Sequence, residues 1–182
     1  TGMNTVKLTN IDEMYPGQSI LLKTGQLVQY GAGLFAYNTV PLLVRRNLEK
    51  IITETLNKYG CTEVLLPTLQ PDTIWKNSGR YDHYVNDGTM LITESNKGTF
   101  CLAPTGEEAM VEFAREKLKS YKNLPATYYQ IGEKFRNEIR TRGYLLRGKS
   151  FPMMDAYSFD LNEEECAKTY QNIRKAYIEI FD

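Results

Sequence analysis

The sequence predicts an α+β fold in which an antiparallel sheet is flanked by helices. Two observations carry that prediction. Segments with helical spacing of apolar residues enclose segments that alternate apolar and polar. The two longest alternating segments, 126–139 and 150–160, follow one another directly across a short basic loop. Strands that are neighbours in the chain and joined by so short a loop pair antiparallel, because a parallel pair needs a longer crossover. The order is not that of repeated βαβ units.

Each element has its own signal. In residues 39–59, Val44, Leu48, Ile51, Ile52, Leu56 and Tyr59 recur at helical spacing before Gly60, which predicts a long amphipathic helix with its stripe on a sheet. "CTEVLLPTL" reads as a short buried strand closed by Pro67. "RYDHYVNDG" and "ESNKG" read as polar turns around a weaker strand, "TMLIT". "APTGEEAMVEFAREKLKSY" predicts a second helix, with Thr105 and Glu108 in capping-box positions. In "FRNEI", Phe135, Asn137 and Ile139 alternate with Arg136 and Glu138. In "SFPMMDAYSFD", Phe151, Met153, Asp155, Tyr157 and Phe159 share a face, and a last helix is capped by Asn162 with Glu165 three residues on. Gly31 and Gly33 in "YGAGLF" read as a turn, since no Lys-Ser/Thr follows to make a phosphate loop.

Composition bounds the chemistry. The chain has 182 residues, 42% apolar and 24% charged, with 22 basic and 22 acidic side chains. Zero net charge argues against a general nucleic-acid coat or a polybasic membrane binder, yet leaves room for a local anion site. No apolar run approaches 18 residues and no basic-then-apolar leader opens the chain, so a cytoplasmic protein is expected. Thr1-Gly2 ahead of Met3 reads as an expression scar. Cys61, Cys101 and Cys166 lack close partners and His83 is the sole histidine, so no zinc site or Cys-His nucleophile is expected. The cysteines read as buried fillers.

The basic side chains cluster. Lys134, Arg136, Arg140, Arg142, Arg147 and Lys149 fall within sixteen residues. On a continuous strand Arg136 and Glu138 would project from one face, an arginine fork beside a carboxylate. Phe151 offers a plate for a planar base, and Arg147 lies four residues before it. Arg136, Glu138, Arg147 and Phe151 therefore suit a nucleoside triphosphate. On composition alone, a solvated hairpin whose charges serve solubility is as good a reading, and Phe151 fits a core as well as a platform.

The spacing favours the first. Phe135, Arg136, Glu138, Arg147, Phe151 and Asp155 resemble motif 2 of the class II aminoacyl-tRNA synthetases: Phe-Arg-x-Glu, a loop, then Arg-x-x-x-Phe-x-x-x-Asp. "DAYSF" resembles the prolyl branch in particular; threonyl enzymes carry histidine where Tyr157 stands. Residues 31–71 resemble motif 1 with its proline at Pro67, and Trp75 to Tyr84 and Leu102 to Ala109 resemble prolyl-branch landmarks. The chain departs at Gly106, where bacterial prolyl enzymes usually carry histidine, in the loop Arg140 to Tyr144, and at Asn38 to Pro41.

The resemblance implies ATP-dependent activation of proline to prolyl-adenylate and its transfer to tRNA(Pro), with Mg²⁺ assisting. It implies that Arg136 bridges the ATP α-phosphate and the proline carboxylate as the catalytic residue. Glu138 would meet the adenine side, Arg147 the distal phosphates, and Phe151 would stack on adenine. Thr105 and Glu107 would receive the imino group. It further implies a homodimer through the motif 1 helix, with Leu48, Ile52 and Leu56 as contacts. No motif 3 follows motif 2 within 182 residues, so 3–182 is expected to be the N-terminal part of a truncated catalytic domain, inactive alone. Three other readings stay open here: a threonyl specificity, a synthetase-like paralogue that is adenylate-forming or inactive, and a module that only grips RNA phosphates.

Overall fold

The computed structural model describes residues 14–182, so the reading of Thr1-Gly2 lies outside the described residues. The chain divides into two compact units, one of residues 1–46 and 138–149, the other of 47–137 and 150–182.

In the first unit, helix α1 (Pro16–Lys23) begins with proline at its first turn, where the missing N–H costs no helical bond. Strands β1 (Leu27–Gly31) and β2 (Leu34–Tyr37) form an antiparallel hairpin with Leu27 opposite Tyr37. The glycine-rich stretch is thus a hairpin turn. Gly33 has φ +72, and a Cβ there would stand 2.5 Å from Thr141 Cγ2 and 2.8 Å from the Lys149 nitrogen. The basic loop folds on itself: Arg142 and Arg147 exchange backbone hydrogen bonds of 3.2 and 3.0 Å. It is tied down by the Leu145 N–H donating to Gln18 Oε1 at 2.8 Å and by Lys149 N–H donating to the Gly33 carbonyl at 2.9 Å.

Helix α2 (Thr39–Lys58) matches its predicted span within one residue. In the second unit, β3 (Thr62–Glu63), β7 (Ala126–Phe135) and β8 (Ser150–Phe159) form a sheet in the order β3-β7-β8. β7 and β8 pair antiparallel over ten residues, from Ala126 opposite Phe159 to Phe135 opposite Ser150. β3 joins parallel, so the sheet is mixed. A second, antiparallel sheet consists of β4 (Leu69–Pro71), β6 (Gly98–Leu102) and β5 (Leu91–Ser95), in that order. Helices α3 (Asp72–Ser78), α4 (Tyr81–Asn86), α5 (Glu107–Lys117) and α6 (Glu163–Phe181) complete it.

Period-two alternation sorts the central sheet's side chains. Tyr129, Met154 and Ala156 pack with Leu56 and Ile52 of α2, and with Ile173 and Ala176 of α6. Tyr128, Tyr157 and Phe159 pack on the opposite face with Leu66 and with Ala109, Met110 and Phe113 of α5. Asn162 caps α6 as expected, its side chain accepting from Glu165 N–H at 2.9 Å.

Four local expectations change. The strand expected around "CTEVLLPTL" shrinks to two exposed residues at the sheet edge. Beyond Val64, Leu66 N–H turns from the backbone ladder to the Gln130 side chain, at 3.2 Å. "RYDHYVNDG" contains helix α4 rather than a turn, because Tyr84 packs edge-on against buried Trp75 and accepts from Arg80 Nη2 at 2.7 Å. Of the three residues assigned to a dimer surface, Leu56 is fully buried in its own core and Ile52 packs against that core, while Leu48 is exposed. Cys61 and Cys101 are buried fillers, but Cys166 is exposed, since α6 turns that side to solvent.

Candidate active site

β7 ends at Phe135, so Arg136 and Glu138 do not alternate on a strand. Phe135 N–H donates to the Ala103 carbonyl at 3.0 Å and Asn137 N–H to the Thr89 carbonyl at 2.8 Å. Those bonds turn the chain away from β8 and toward the loop between β6 and α5. Arg136 follows: its Nε donates to the Pro104 carbonyl at 3.1 Å, and its guanidinium lies 5.6 Å from the centre of the Phe151 ring. The structure thereby brings Arg136 and Phe151 together at the loop that carries Thr105 and Glu107.

That loop is shaped by Gly106. The expected capping box does not form: Gly106 is the N-cap residue of α5, and no side chain caps the helix. Thr105 instead donates its hydroxyl proton to Glu107 Oε2. Gly106 is needed because of what faces it. A Cβ would stand 2.2 Å from Asp155 Oδ2, 2.8 Å from Gln130 Nε2 and 3.3 Å from the Tyr157 oxygen.

These three side chains belong to a polar row along one face of β7 and β8, with Gln130 opposite Asp155 and Lys134 opposite Phe151. Lys134 Nζ sits 3.1 Å from Asp155 Oδ1, with side-chain exposures of only 3% and 9%. Such a pair is costly to bury and is held by further hydrogen bonds. Asp155 Oδ2 accepts from Tyr157 at 2.9 Å and from Gln130 Nε2 at 3.3 Å. Burial, together with the adjacent Asp155 carboxylate, pushes the Tyr157 phenol well above its ordinary value.

On the other side of the loop, Arg80 Nε lies 3.2 Å from buried Glu108 Oε1, and its Nη1 lies 3.9 Å from Glu107 Oε1. Ser78 donates to Glu108 Oε1 at 3.0 Å. Glu108, offered above as half of a capping box, is thus an anchor for Arg80 and α3.

The remaining two predicted residues, Glu138 and Arg147, meet each other. Arg147 donates from Nε at 3.0 Å and approaches from Nη2 at 2.8 Å, both toward Glu138 Oε2. His83 is largely exposed, 3.8 Å from Asp87. Among the described residues no group of three or more His, Cys, Asp or Glu side chains is placed to hold a metal ion.

The sequence reading gave Arg80 and Gln130 no mention by themselves, counted Lys134 only in the basic cluster, and gave Asp155 and Tyr157 no role. For all but Arg80 the register of β7 on β8 is the signal that finds them: a lysine and a glutamine on one strand face the phenylalanine and aspartate of its neighbour.

Comparison with known proteins shows the family to which the chain belongs. The family described as "tRNA synthetase class II core domain (G, H, P, S and T)" matches residues 90–182. A proline–tRNA ligase of Xanthomonas axonopodis pv. citri is 41% identical over 180 residues, which is 98% of this chain and 32% of that protein. One from Stenotrophomonas maltophilia is 37% identical over 179 residues, 98% of this chain and 31% of that protein. The chain thus spans about a third of the length of these curated relatives. Among solved structures, Giardia lamblia prolyl-tRNA synthetase in complex with prolyl-adenylate superposes with a TM-score of 0.81 at 18% identity, covering 94% of this chain and 36% of that one. The Cryptosporidium parvum prolyl-tRNA synthetase complexed with halofuginone and AMPPNP gives 0.80 at 14%, covering 99% and 38%.

Proposed function

We propose, from the premise that this chain belongs to the class II tRNA synthetase core family, that it forms part of a proline–tRNA ligase. The observation that carries the reading is Arg136, tied through its Nε to the Pro104 carbonyl beside Thr105 and facing Phe151. One guanidinium beside an amine-accepting loop and an aromatic plate suits a reaction between a carboxylate and a nucleotide phosphate.

The proline carboxylate attacks the α-phosphorus of ATP in line. The bond to the β-phosphate oxygen breaks, pyrophosphate leaves, and prolyl-adenylate forms. The 3′-terminal ribose hydroxyl of tRNA(Pro) then takes the prolyl group and AMP departs. No protein nucleophile is required. The side chains orient the reactants and stabilise charge on the phosphoryl oxygens. Arg136 serves both α-phosphate and carboxylate. Thr105 and Glu107 receive the imino group, Phe151 stacks on adenine, Glu138 lies toward the adenine and Arg147 toward the distal phosphates. Mg²⁺ would arrive on the phosphates of ATP and would offset their negative charge.

A homodimer through α2 is part of the reading. Val44, Leu48 and Ile51 form an i, i+4, i+7 stripe that is about half exposed, at 53%, 56% and 47%. A cytoplasmic location is consistent with the described helices, none of which is long and apolar enough to cross a membrane.

The test is proline-dependent ATP–pyrophosphate exchange by the complete gene product and its Arg136→Ala variant. Loss of exchange to below about a hundredth, with an unchanged melting curve, is expected for a transition-state contact. Exchange within about threefold of the parent would remove Arg136 from the reaction. Exchange with threonine but not proline, or RNA binding without exchange, would replace the reading.

A further inference from the structure

Both oxygens of Glu107 face a partner. Thr105 donates its hydroxyl proton to Oε2. Oε1 faces Arg80, whose Nη1 lies 3.9 Å away. That separation decides what Arg80 can do. An N–H···O bond closes at about 2.7–3.2 Å, so Arg80 attracts Glu107 by charge without forming one. The lone pairs of Oε1 stay open to a ligand, and Glu107, 43% exposed, can be reached by it.

Arg80 is kept at that distance by partners of its own. Its Nε lies 3.2 Å from Glu108 Oε1, and its Nη2 donates to the Tyr84 hydroxyl at 2.7 Å. The guanidinium also lies 5.7 Å from the centre of the Trp75 ring and 5.0 Å from that of Tyr84. Glu107 and Glu108 compete for this one cation, and Glu108 has the stronger need. It is buried, and its Oε2 has no hydrogen-bond partner. A buried carboxylate depends on its countercharge more than an exposed one does. The guanidinium therefore makes its short contact with Glu108 and turns only Nη1 toward Glu107. One guanidinium between two carboxylates leaves one negative charge, the complement of a single ammonium.

We propose that Arg80 is a positioning residue for the amino-acid substrate: it aims Glu107 Oε1 at the imino group by charge, while Glu108 holds it too far away to occupy that oxygen. The inference rests on the reading of Glu107 as a receiver of proline's imino group. A carboxylate on the first turn of a helix, left alone, turns freely in solvent. A fixed cation at one oxygen and a hydroxyl at the other restrict it before the ligand arrives. Such preorganisation favours the amine and leaves ATP binding as it is.

The experiment is steady-state ATP–pyrophosphate exchange by the complete gene product, with proline and ATP varied separately. Arg80→Lys is the first variant, because its single ammonium leaves a countercharge for Glu108 but lacks the second nitrogen for Glu107. The KM for proline should rise about five- to tenfold, while kcat and the KM for ATP stay within about twofold. On a Glu107→Gln background the same change should raise the proline KM less than about twofold, because the group through which it acts is gone. If Arg80→Lys does not fold, Tyr84→Phe keeps the ring beside the guanidinium and removes one of its hydrogen bonds. A rise of about two- to threefold in the proline KM alone is then expected. An unchanged proline KM in whichever variant folds, equal rises for proline and ATP, or a full rise on the Glu107→Gln background overturns the inference alone. A parent protein with no proline-dependent exchange overturns the proline reading, and the inference with it.

Discussion

Arg147 presents two guanidinium nitrogens to a single oxygen of Glu138, Nε at 3.0 Å and Nη2 at 2.8 Å. The pair is partly open to solvent: Arg147 is 57% exposed and Glu138 19%. The same loop is closed by the backbone bridge between Arg142 and Arg147 and anchored through Leu145 to Gln18. Backbone bonds with defined partners outweigh an ion pair that water screens on one side. Glu138→Gln is accordingly expected to change unfolding stability by less than about 1 kcal/mol. Urea unfolding measures it, and a loss of twice that size would mean that the ion pair, not the backbone, holds the loop.

Lys134 and Asp155 are the opposite case. Removing one member of a pair this deeply buried leaves the other charge without compensation. Lys134→Met should destabilise by about 3–5 kcal/mol, and Lys134→Met with Asp155→Asn by clearly less. A double variant as unstable as the single one would show that packing, rather than the stranded carboxylate, sets the cost.

Gly106→Ala tests the close approach from the loop side. Gly106 has φ −113, which any residue adopts, so backbone conformation contributes nothing to the cost. The steric contact does, with Asp155 Oδ2 at 2.2 Å and Gln130 Nε2 at 2.8 Å from the added carbon. Asp155 is held by three partners and yields poorly. A loss of about 1–3 kcal/mol is expected, as for other additions to a filled interior. Thermal unfolding with no shift would mean that the carboxylate moves aside at little cost.

The parts of this fold legible in the sequence are those fixed by local pattern. α2, α6 and its Asn162 cap, and the pair β7 and β8 follow from periodicity and capping chemistry that each segment carries within itself. What escaped was decided by distant partners. Tyr81–Asn86 is helical because Trp75 and Arg80 hold Tyr84. β7 stops at Phe135 because the carbonyls of Ala103 and Thr89 offer better-placed acceptors than a longer β8 partner. The site divides in the same way. Arg136 and Phe151 are suggested by residue type and spacing, and Thr105 and Glu107 by the family resemblance, but the Pro104 carbonyl that orients Arg136 has no side-chain signature. The row Gln130, Lys134, Asp155 and Tyr157 becomes visible only once strand register is known.

The cysteines give the last prediction, which concerns pH. Burial pushes the Cys101 thiol from its ordinary 9.0 up to about 11, and raises Cys61 as well, whereas Cys166 is exposed on α6. Reaction with a maleimide needs a thiolate that the reagent can reach. In the native protein at pH 8, peptide mapping should find label on Cys166 alone, with Cys61 and Cys101 labelled only in urea. The raised value also fixes a sign. Above pH 9.0 the unfolded chain loses the Cys101 proton while the folded protein keeps it, up to about 11. The folded state then binds more protons than the unfolded one, so stability falls as pH rises through that window and is unaffected by this group below it. Replacing Cys101 by alanine should flatten that alkaline decline, even though the variant starts from lower stability because a buried sulfur is gone. Equal slopes for parent and variant between pH 9 and 11, or label on Cys101 as fast as on Cys166, would show that the interior around Trp75 and Met90 opens to solvent in the folded protein.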